Sequence, residues 1–431
     1  MTKVADDALR TAVTDLMPLA SEIFDDIRTA SLDDEGVTRP AWSEQDQAAA
    51  DILLMAARAE GLATRQDAIG NAYADLEGSD PTAPAILSGS HLDSVARGGN
   101  FDGLAGAVAA VIALAAVRRT GIVPGCRLTA MGTRCEESVW YGIAYVGARL
   151  AVGAMERSEF DNLVRLDSKH SIADHMADQG LRVDEIWQGD PIVTATNTKA
   201  FLELHIEQGP LLVEQDAPLA VATAIRGNLR HGDGVCHGAY QHSAATPRRL
   251  RQDTVLAVTE LLGRLEALWH EIEDSDDPSA VFTVGKLFTD PDHHALTKVP
   301  GECHFSLNFG STEQHTLDRA RDAIAALTED IARRRNVRFV LGDAVGSSPT
   351  PLDLALRAKL HDNADRRAIP CQEFATVGHD ASIFARAGIP AAVLLVRNAD
   401  GSHNPDEKMA MADFEQGVQV LAATMVELAG S

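Results

Sequence analysis

Five residues of metal-ligand type, His91, Asp102, Glu137, His205 and His403, each sit in a short polar motif that a purely structural role would not require. The first two lie in Gly89-Ser-His-Leu-Asp-Ser-Val-Ala-Arg-Gly-Gly-Asn-Phe-Asp-Gly103. Glu137 is the second of an adjacent carboxylate pair, Glu136-Glu137. His205 opens His-Ile-Glu-Gln-Gly-Pro210, and His403 lies in Gly401-Ser-His-Asn-Pro-Asp-Glu407. Such a set of nitrogen and oxygen donors suits two divalent cations that share one carboxylate. Glu136 is then left free to act as a general base.

The spacing inside the motifs adds detail. His91 and Asp93 are two apart, so in an extended segment they point the same way. Asp93 can then accept a hydrogen bond from the His91 ring and fix the metal-binding tautomer. Asp102 lies between Gly99 and Gly103, which let the loop bend tightly. Its two oxygens make it the natural bridge between two cations.

These side chains need a scaffold, and the hydrophobic pattern supplies one. Residues 5–30 and 45–60 have helical spacing, with Gly61 as a stop. Thr64 to Leu76 and Ala85 to Gly89 read as strands, the second running directly into His91. An apolar helix over 103–119 follows. Arg127 to Met131, Leu202 to His205 and Ala391 to Val396 read as further strands. The candidate ligands therefore follow strand ends in an alternating α/β pattern, the edge where such sheets build sites. The middle of the chain, about 219–335, has a different texture. It carries strand-like runs at Val281–Leu287 and Cys303–Phe309, helices at about 252–272 and 312–335, and none of the five ligands. The acidic stretch Glu271 to Asp277 reads as a solvated connection. The expected organisation is a catalytic domain in two parts, 1–218 and 336–431, around an inserted α+β domain, 219–335.

At 431 residues, the chain is long enough for two domains. Its formal net charge of -25 argues against nucleic-acid or anionic-membrane partners, which need Lys/Arg surfaces. Cys126, Cys135, Cys236, Cys303 and Cys371 are dispersed and odd in number, as expected of reduced thiols in a cytoplasmic protein. The first ten residues lack the pattern of a signal peptide. The most apolar stretch, Leu104 to Val117, is shorter than the roughly 20 residues that span a bilayer.

Taken together, the motifs resemble the di-metal amidohydrolases of the carboxypeptidase–aminoacylase superfamily. Within it they look most like the hydantoinase/carbamoylase amidases: N-carbamoyl-L-amino acid hydrolases, allantoate amidohydrolases and β-ureidopropionases. Leu202-Glu-Leu-His-Ile-Glu-Gln-Gly-Pro210 and Gly378-His-Asp-Ala381 carry the likeness alongside the motifs above. The resemblance implies an exopeptidase-like catalytic domain, a mixed sheet flanked by helices, with an inserted dimerisation or lid domain. It implies one metal on His91, Asp102 and His205 and a second on Asp102, Glu137 and His403. Zn is the first expectation, with Mn, Co or Ni as alternatives. Glu136 would be the base. His242, in Gln241-His-Ser-Ala-Ala-Thr-Pro247, would stabilise the oxyanion across a homodimer.

The chain also departs from that family. An Arg that holds the substrate carboxylate is replaced by Gly310, after Leu307-Asn308-Phe309, and Thr297 stands where Asn is usual. Gly-Gln-Arg-Arg becomes Gly227-Asn228-Leu229-Arg230. Losing a bidentate Arg removes a carboxylate clamp. Gln208, Asn228, Arg230, Thr297, Asn308 and Gly310 are the expected substrate-binding positions. Arg226, Arg230 and Lys298 are alternative donors. The reading is a metal-dependent amidohydrolase of a linear amide or ureido bond in a small molecule, other than a standard N-carbamoyl-L-α-amino acid. An aminoacylase or dipeptidase of the same superfamily is the alternative, and a non-catalytic metal-binding scaffold the rival of another class.

Overall fold

The computed structural model describes residues 2–430. They form two compact units, residues 2–223 with 352–430, and Ala224–Pro351.

The larger unit is built on a mixed sheet. Seven of its nine strands are β1 (Ala63–Gln66), β2 (Ala72–Leu76), β3 (Ala85–His91), β4 (Leu128–Thr133), β5 (Thr198–Ile206), β6 (Leu219–Ile225) and the late strand Ala391–Val396; Thr350–Pro351 and Cys371–Thr376 pair with β6. They lie in the order β1-β2-β4-β3-β5, then Ala391–Val396, then β6. β4, β3, β5 and Ala391–Val396 run parallel, and the margins are antiparallel. Thr64 to Leu76 is thus two strands rather than one. Asp67 folds the turn between them by accepting from the backbone of Ile69 and Asn71.

Helices α1 (Lys3–Ala30), α2 (Glu44–Ala59) and α3 (Leu104–Thr120) and the C-terminal helix Met411–Ala429 share one core with this sheet. α3 is buried from Leu104 to Val117 without a polar face, as a helix covered on all sides must be. Its small residues let it sit directly on the strands. A Cβ on Gly106 would lie 2.1 Å from the Leu204 carbonyl oxygen. This close packing fixes the start of α3, and with it Asp102, against β3 and β5.

The smaller unit is an antiparallel sheet centred on the strands Gly227–His237 and Glu302–Ser311. The helices Thr254–Ser275 and Gln314–Arg335 share its apolar core. Burial along Glu302–Ser311 alternates residue by residue until the last three, the signature of one covered face. Gly227–His237 gave little strand signal, since Gly232, Asp233 and Gly234 interrupt it. Three neighbouring strands hold it in place instead.

Two expectations need correction here. The insertion runs 224–351, not 219–335. Most of β6 belongs to the larger sheet, and Arg338–Val340 and Val345–Ser347 pair with Gly227–His237. Glu271 to Asp277 is not a solvated connection throughout. The helix continues to Ser275, and Asp277 is buried, accepting from the hydroxyls of Ser279, Ser311 and Thr316.

Candidate active site

The larger unit gathers the sequence-expected ligands at the C-terminal ends of its parallel strands. His91 is the last residue of β3 and His205 the penultimate residue of β5. Glu136 and Glu137 follow the end of β4, after a sharp turn at Cys135 with φ +56°. His403 lies in the loop beyond Ala391–Val396, in the left-handed region at φ +59°. Gly103 lets the loop close on the site: a Cβ there would fall 2.4 Å from the His91 ring.

Two donor groups share Asp102. His91, Asp102 and His205 offer atoms within 4.8 Å of one another, and so do Asp102, Glu137 and His403. In the first, Asp102 Oδ1 lies 3.5 Å from His91 Nε2 and 3.3 Å from His205 Nε2. In the second, His403 Nε2 lies 3.2 Å from Asp102 Oδ2 and 3.1 Å from Glu137 Oε1.

The hydrogen bonds around these groups fit a cation. His91 Nδ1 and His205 Nδ1 each lie 2.9 Å from a backbone carbonyl, of Asp93 and of Ile206. A neutral ring then carries its proton on Nδ1 and presents the Nε2 lone pair. Those Nε2 atoms face one another at 3.5 Å, and Gly103 N–H donates to the one on His205. Asp102 Oδ1 is buried and accepts no hydrogen bond. Converging lone pairs around an unsatisfied carboxylate oxygen call for a positive charge. Burial works against protonating His91, yet Asp102, Asp93 and Glu136 carry its pKa well above the usual range. Asp102 and Glu137 push His403 up to about 10.

Glu136 makes a different set of contacts. Its Oε2 lies 4.0 Å from His91 Nε2, and its side chain is 12% exposed. Burial first, then the nearby Glu137, Asp380 and Asp93, raise its pKa well above the carboxylate range against the pull of His91. A carboxylate so placed is suited to taking and returning a proton.

Asp93 differs from expectation. Its carbonyl, not its carboxylate, is the close partner of the His91 ring; the carboxylate stands off at 3.6 Å. The two oxygens accept instead from the backbone N–H groups of Glu136 (3.0 Å) and Glu137 (3.2 Å). Asp93 thus aims the glutamate pair. Gln208, expected to bind substrate, donates from Nε2 to Asp102 Oδ2 at 2.8 Å and leaves Oε1 buried without a partner.

Several neighbours were given no role from the sequence. Ser402 Oγ lies 2.5 Å from Asp102 Oδ2 and 2.8 Å from Glu407 Oε2, able to donate to one or the other, and Glu407 Oε1 accepts from the backbone of Phe101 and Asp102. Glu203, His205 and His379 form a third buried donor group. Glu203 stands two residues before His205, so strand alternation already placed both on one face. Thr133 donates to Asp380, whose carboxyl burial and Glu203 push up to about 7.

The remaining candidates lie on the smaller unit in two sets. Asn228 and Arg230 are cross-strand partners of Gly310 and Asn308, and Arg230 Nε donates to Asn308 Oδ1 at 3.3 Å. His242 and Thr297 share a second ladder, where Lys298 pairs with His242 and Ser243 N–H donates to the Thr297 carbonyl. His242 Nδ1 accepts from the backbone of Ala244 and Ala245, both at 3.2 Å. The neutral ring therefore carries its proton on Nε2, a donor on an exposed side chain.

Comparison with known proteins agrees with this geometry. Residues 87–427 match the model of peptidase family M20/M25/M40. The chain belongs to this family. An N-carbamoyl-L-amino-acid amidohydrolase of Paenarthrobacter aurescens is 30% identical over 399 residues, 92% of this chain and 94% of that one. An allantoate amidohydrolase of Bacillus subtilis (strain 168) is 29% identical over 401 residues, 92% and 93% of the two chains. A hydantoinase/carbamoylase family amidase from Burkholderia multivorans superposes with a TM-score of 0.86 at 23% identity, covering 96% of this chain and 98% of that one. With relatives named as amidohydrolases along nearly its whole length, the chain is an M20-family hydrolase of C–N bonds. No helix among the described residues is long and apolar enough to cross a membrane.

Proposed function

We propose that the protein hydrolyses the linear ureido or amide C–N bond of a small molecule whose anionic group is not held by the usual arginine. The observation that carries this reading is the placement of Glu136 beside two donor groups that share Asp102. His91, Asp102 and His205 would hold one divalent cation, and Asp102, Glu137 and His403 a second. Such ions, when bound, polarise a carbonyl and acidify water. Glu136 takes the proton of the attacking water and delivers it to the leaving nitrogen. Asp93 keeps Glu136 and Glu137 divided between these tasks through their backbone N–H groups. The His242 Nε2–H is the oxyanion donor, offered to the partner's site in a homodimer formed through the inserted unit. Relatives named for N-carbamoyl amino acids and allantoate support a ureido substrate.

The specificity claim rests on Gly310 and its surroundings. A Cβ at this position would lie 2.8 Å from Val281 Cγ2, so the strand Val281–Thr283 has closed over the place where an Arg side chain would begin. Each of the three alternative cations has one donor turned to a neighbouring group. Arg226 Nε donates to the Ser279 carbonyl, Arg230 Nε to Asn308, and Lys298 Nζ to the His293 carbonyl. A carboxylate desolvated here would lack a charge-assisted bond worth roughly 1.5–3 kcal/mol.

Kinetics on a matched pair, an N-carbamoyl amino acid and its carboxamide, test this. The expectation is comparable kcat/KM, or better turnover of the carboxamide. A preference for the acid of a hundredfold or more would overturn it. Release of ammonia and carbon dioxide separates ureido hydrolysis from the aminoacylase or dipeptidase reading. Restoring the clamp needs Gly310→Arg combined with Val281→Ala, because the single change meets the valine.

A further inference from the structure

The loop from His91 to Asp102 carries two candidate ligands, and its two ends must be held at a set separation. One buried side chain reaches both. Arg39 is 0% exposed. Its Nε donates to the Leu92 carbonyl at 2.9 Å, one residue after His91. Its Nη1 donates to Asn100 Oδ1 at 3.2 Å, two residues before Asp102, and to Ser31 Oγ at 3.1 Å. Its own backbone pairs with the middle of the loop: Arg39 N–H donates to Ser94 Oγ, and Ser94 N–H to the Arg39 carbonyl. Asn100 is held in turn by Nδ2 donating to the Phe24 carbonyl at 2.9 Å.

We infer that Arg39 is a positioning residue for the metal site, a buried brace that sets the distance between His91 and Asp102. The inference rests on the metal reading above and extends it to a residue outside the donor set. The guanidinium plane is what the task requires. Its rigid fork reaches two acceptors about one loop-width apart, whereas an ammonium is a single point charge on a flexible stem. Charge adds a second reason. The loop brings Asp93 and Asp102 together, with Glu407 beside them, and Arg39 is the fully buried cation among these carboxylates.

The test measures Zn²⁺ affinity of the intact chain by competition with a chelator of known affinity. Wild type, Arg39→Lys, Arg39→Met and Asn100→Ala are compared. If the wild type binds no Zn²⁺, the metal reading itself has failed. If it binds, both Arg39 variants should lose affinity by 10–100-fold, the range for outer residues that orient ligands. Lysine should rescue little. Asn100→Ala, which removes one arm of the brace, should lose less, and the double variant should lose less than the product of the two single effects. Activity at saturating Zn²⁺ should recover with an unchanged KM, because Arg39 touches no substrate. Wild-type affinity in a folded Arg39→Lys protein would overturn the inference. If the Arg39 variants fail to fold, Asn100→Ala decides: unchanged Zn²⁺ affinity there equally overturns it.

Discussion

At the residue scale, the proposed function assigns different work to two neighbouring glutamates. Asp93 pins both backbone N–H groups, so each side chain leaves the turn in its own direction. Glu137 faces His403 and Glu136 faces His91. The histidines should separate the two donor groups experimentally. His91→Ala removes a donor from the first group and His403→Ala from the second. Each variant should lose about one equivalent of tightly bound divalent metal, with kcat down by at least about a hundredfold. Metal analysis after dialysis, run beside steady-state kinetics, checks this. Full occupancy with full activity in either variant would remove that residue from the site.

At the element scale, the ligand-bearing strands were legible because they are short apolar runs ending at polar motifs. Ala391–Val396 has the bounds its hydrophobicity implied, and β3 runs two residues further, into His91. Gly227–His237 was not legible, since its register comes from its neighbours rather than its own composition. The second set of contacts behind the ligands was equally hidden. Glu407 reaches the loop at Phe101 and Asp102 across some three hundred residues of chain, a proximity no local pattern encodes. The role of the Asp93 carboxylate also escaped, because a two-residue spacing suggests a side-chain contact that the backbone carbonyl makes instead.

The C-terminal helix offers a pH test at this same scale. Glu427 bonds Lys359 at 2.6 Å and Arg366 at 3.0 Å on the helix Leu354–Arg366. Burial opposes its ionisation, but these cations and Asn363 bring its pKa from 4.5 down to about 2. Because the folded value is depressed, the stabilisation is full above about pH 4.5 and is lost as pH falls toward 2. After allowance for solvent screening it is about 1–2 kcal/mol. Glu427→Gln should therefore melt below wild type at pH 7, and the gap should shrink steadily as the buffer is taken from pH 4.5 to pH 2.5. A gap that does not change with pH would contradict the assignment.

At the scale of the whole molecule, the chain divides its labour between two units. The larger holds the candidate metal site, and the smaller holds His242, Asn228, Asn308 and Gly310. If His242 serves a partner's site, two inactive variants should complement each other. Mixing Glu136→Gln with His242→Ala subunits should restore up to one competent site per heterodimer. No recovery, with subunit exchange demonstrated, would place His242 in its own chain's site or outside catalysis. The net charge of -25 bears on the same question, since self-repulsion between subunits weakens with salt. Exchange should accordingly be compared at low and moderate ionic strength.

In the proposed function Glu136 moves the proton at a site whose metals other residues would hold. Glu136→Gln tests it most directly, because an amide keeps the shape and cannot accept the proton. Metal content and kcat on a ureido substrate are measured on the same preparation. Wild-type metal content with kcat lower by about 10²–10⁴ is the expected result. A metal-replete Glu136→Gln protein turning over near the wild-type rate would contradict it.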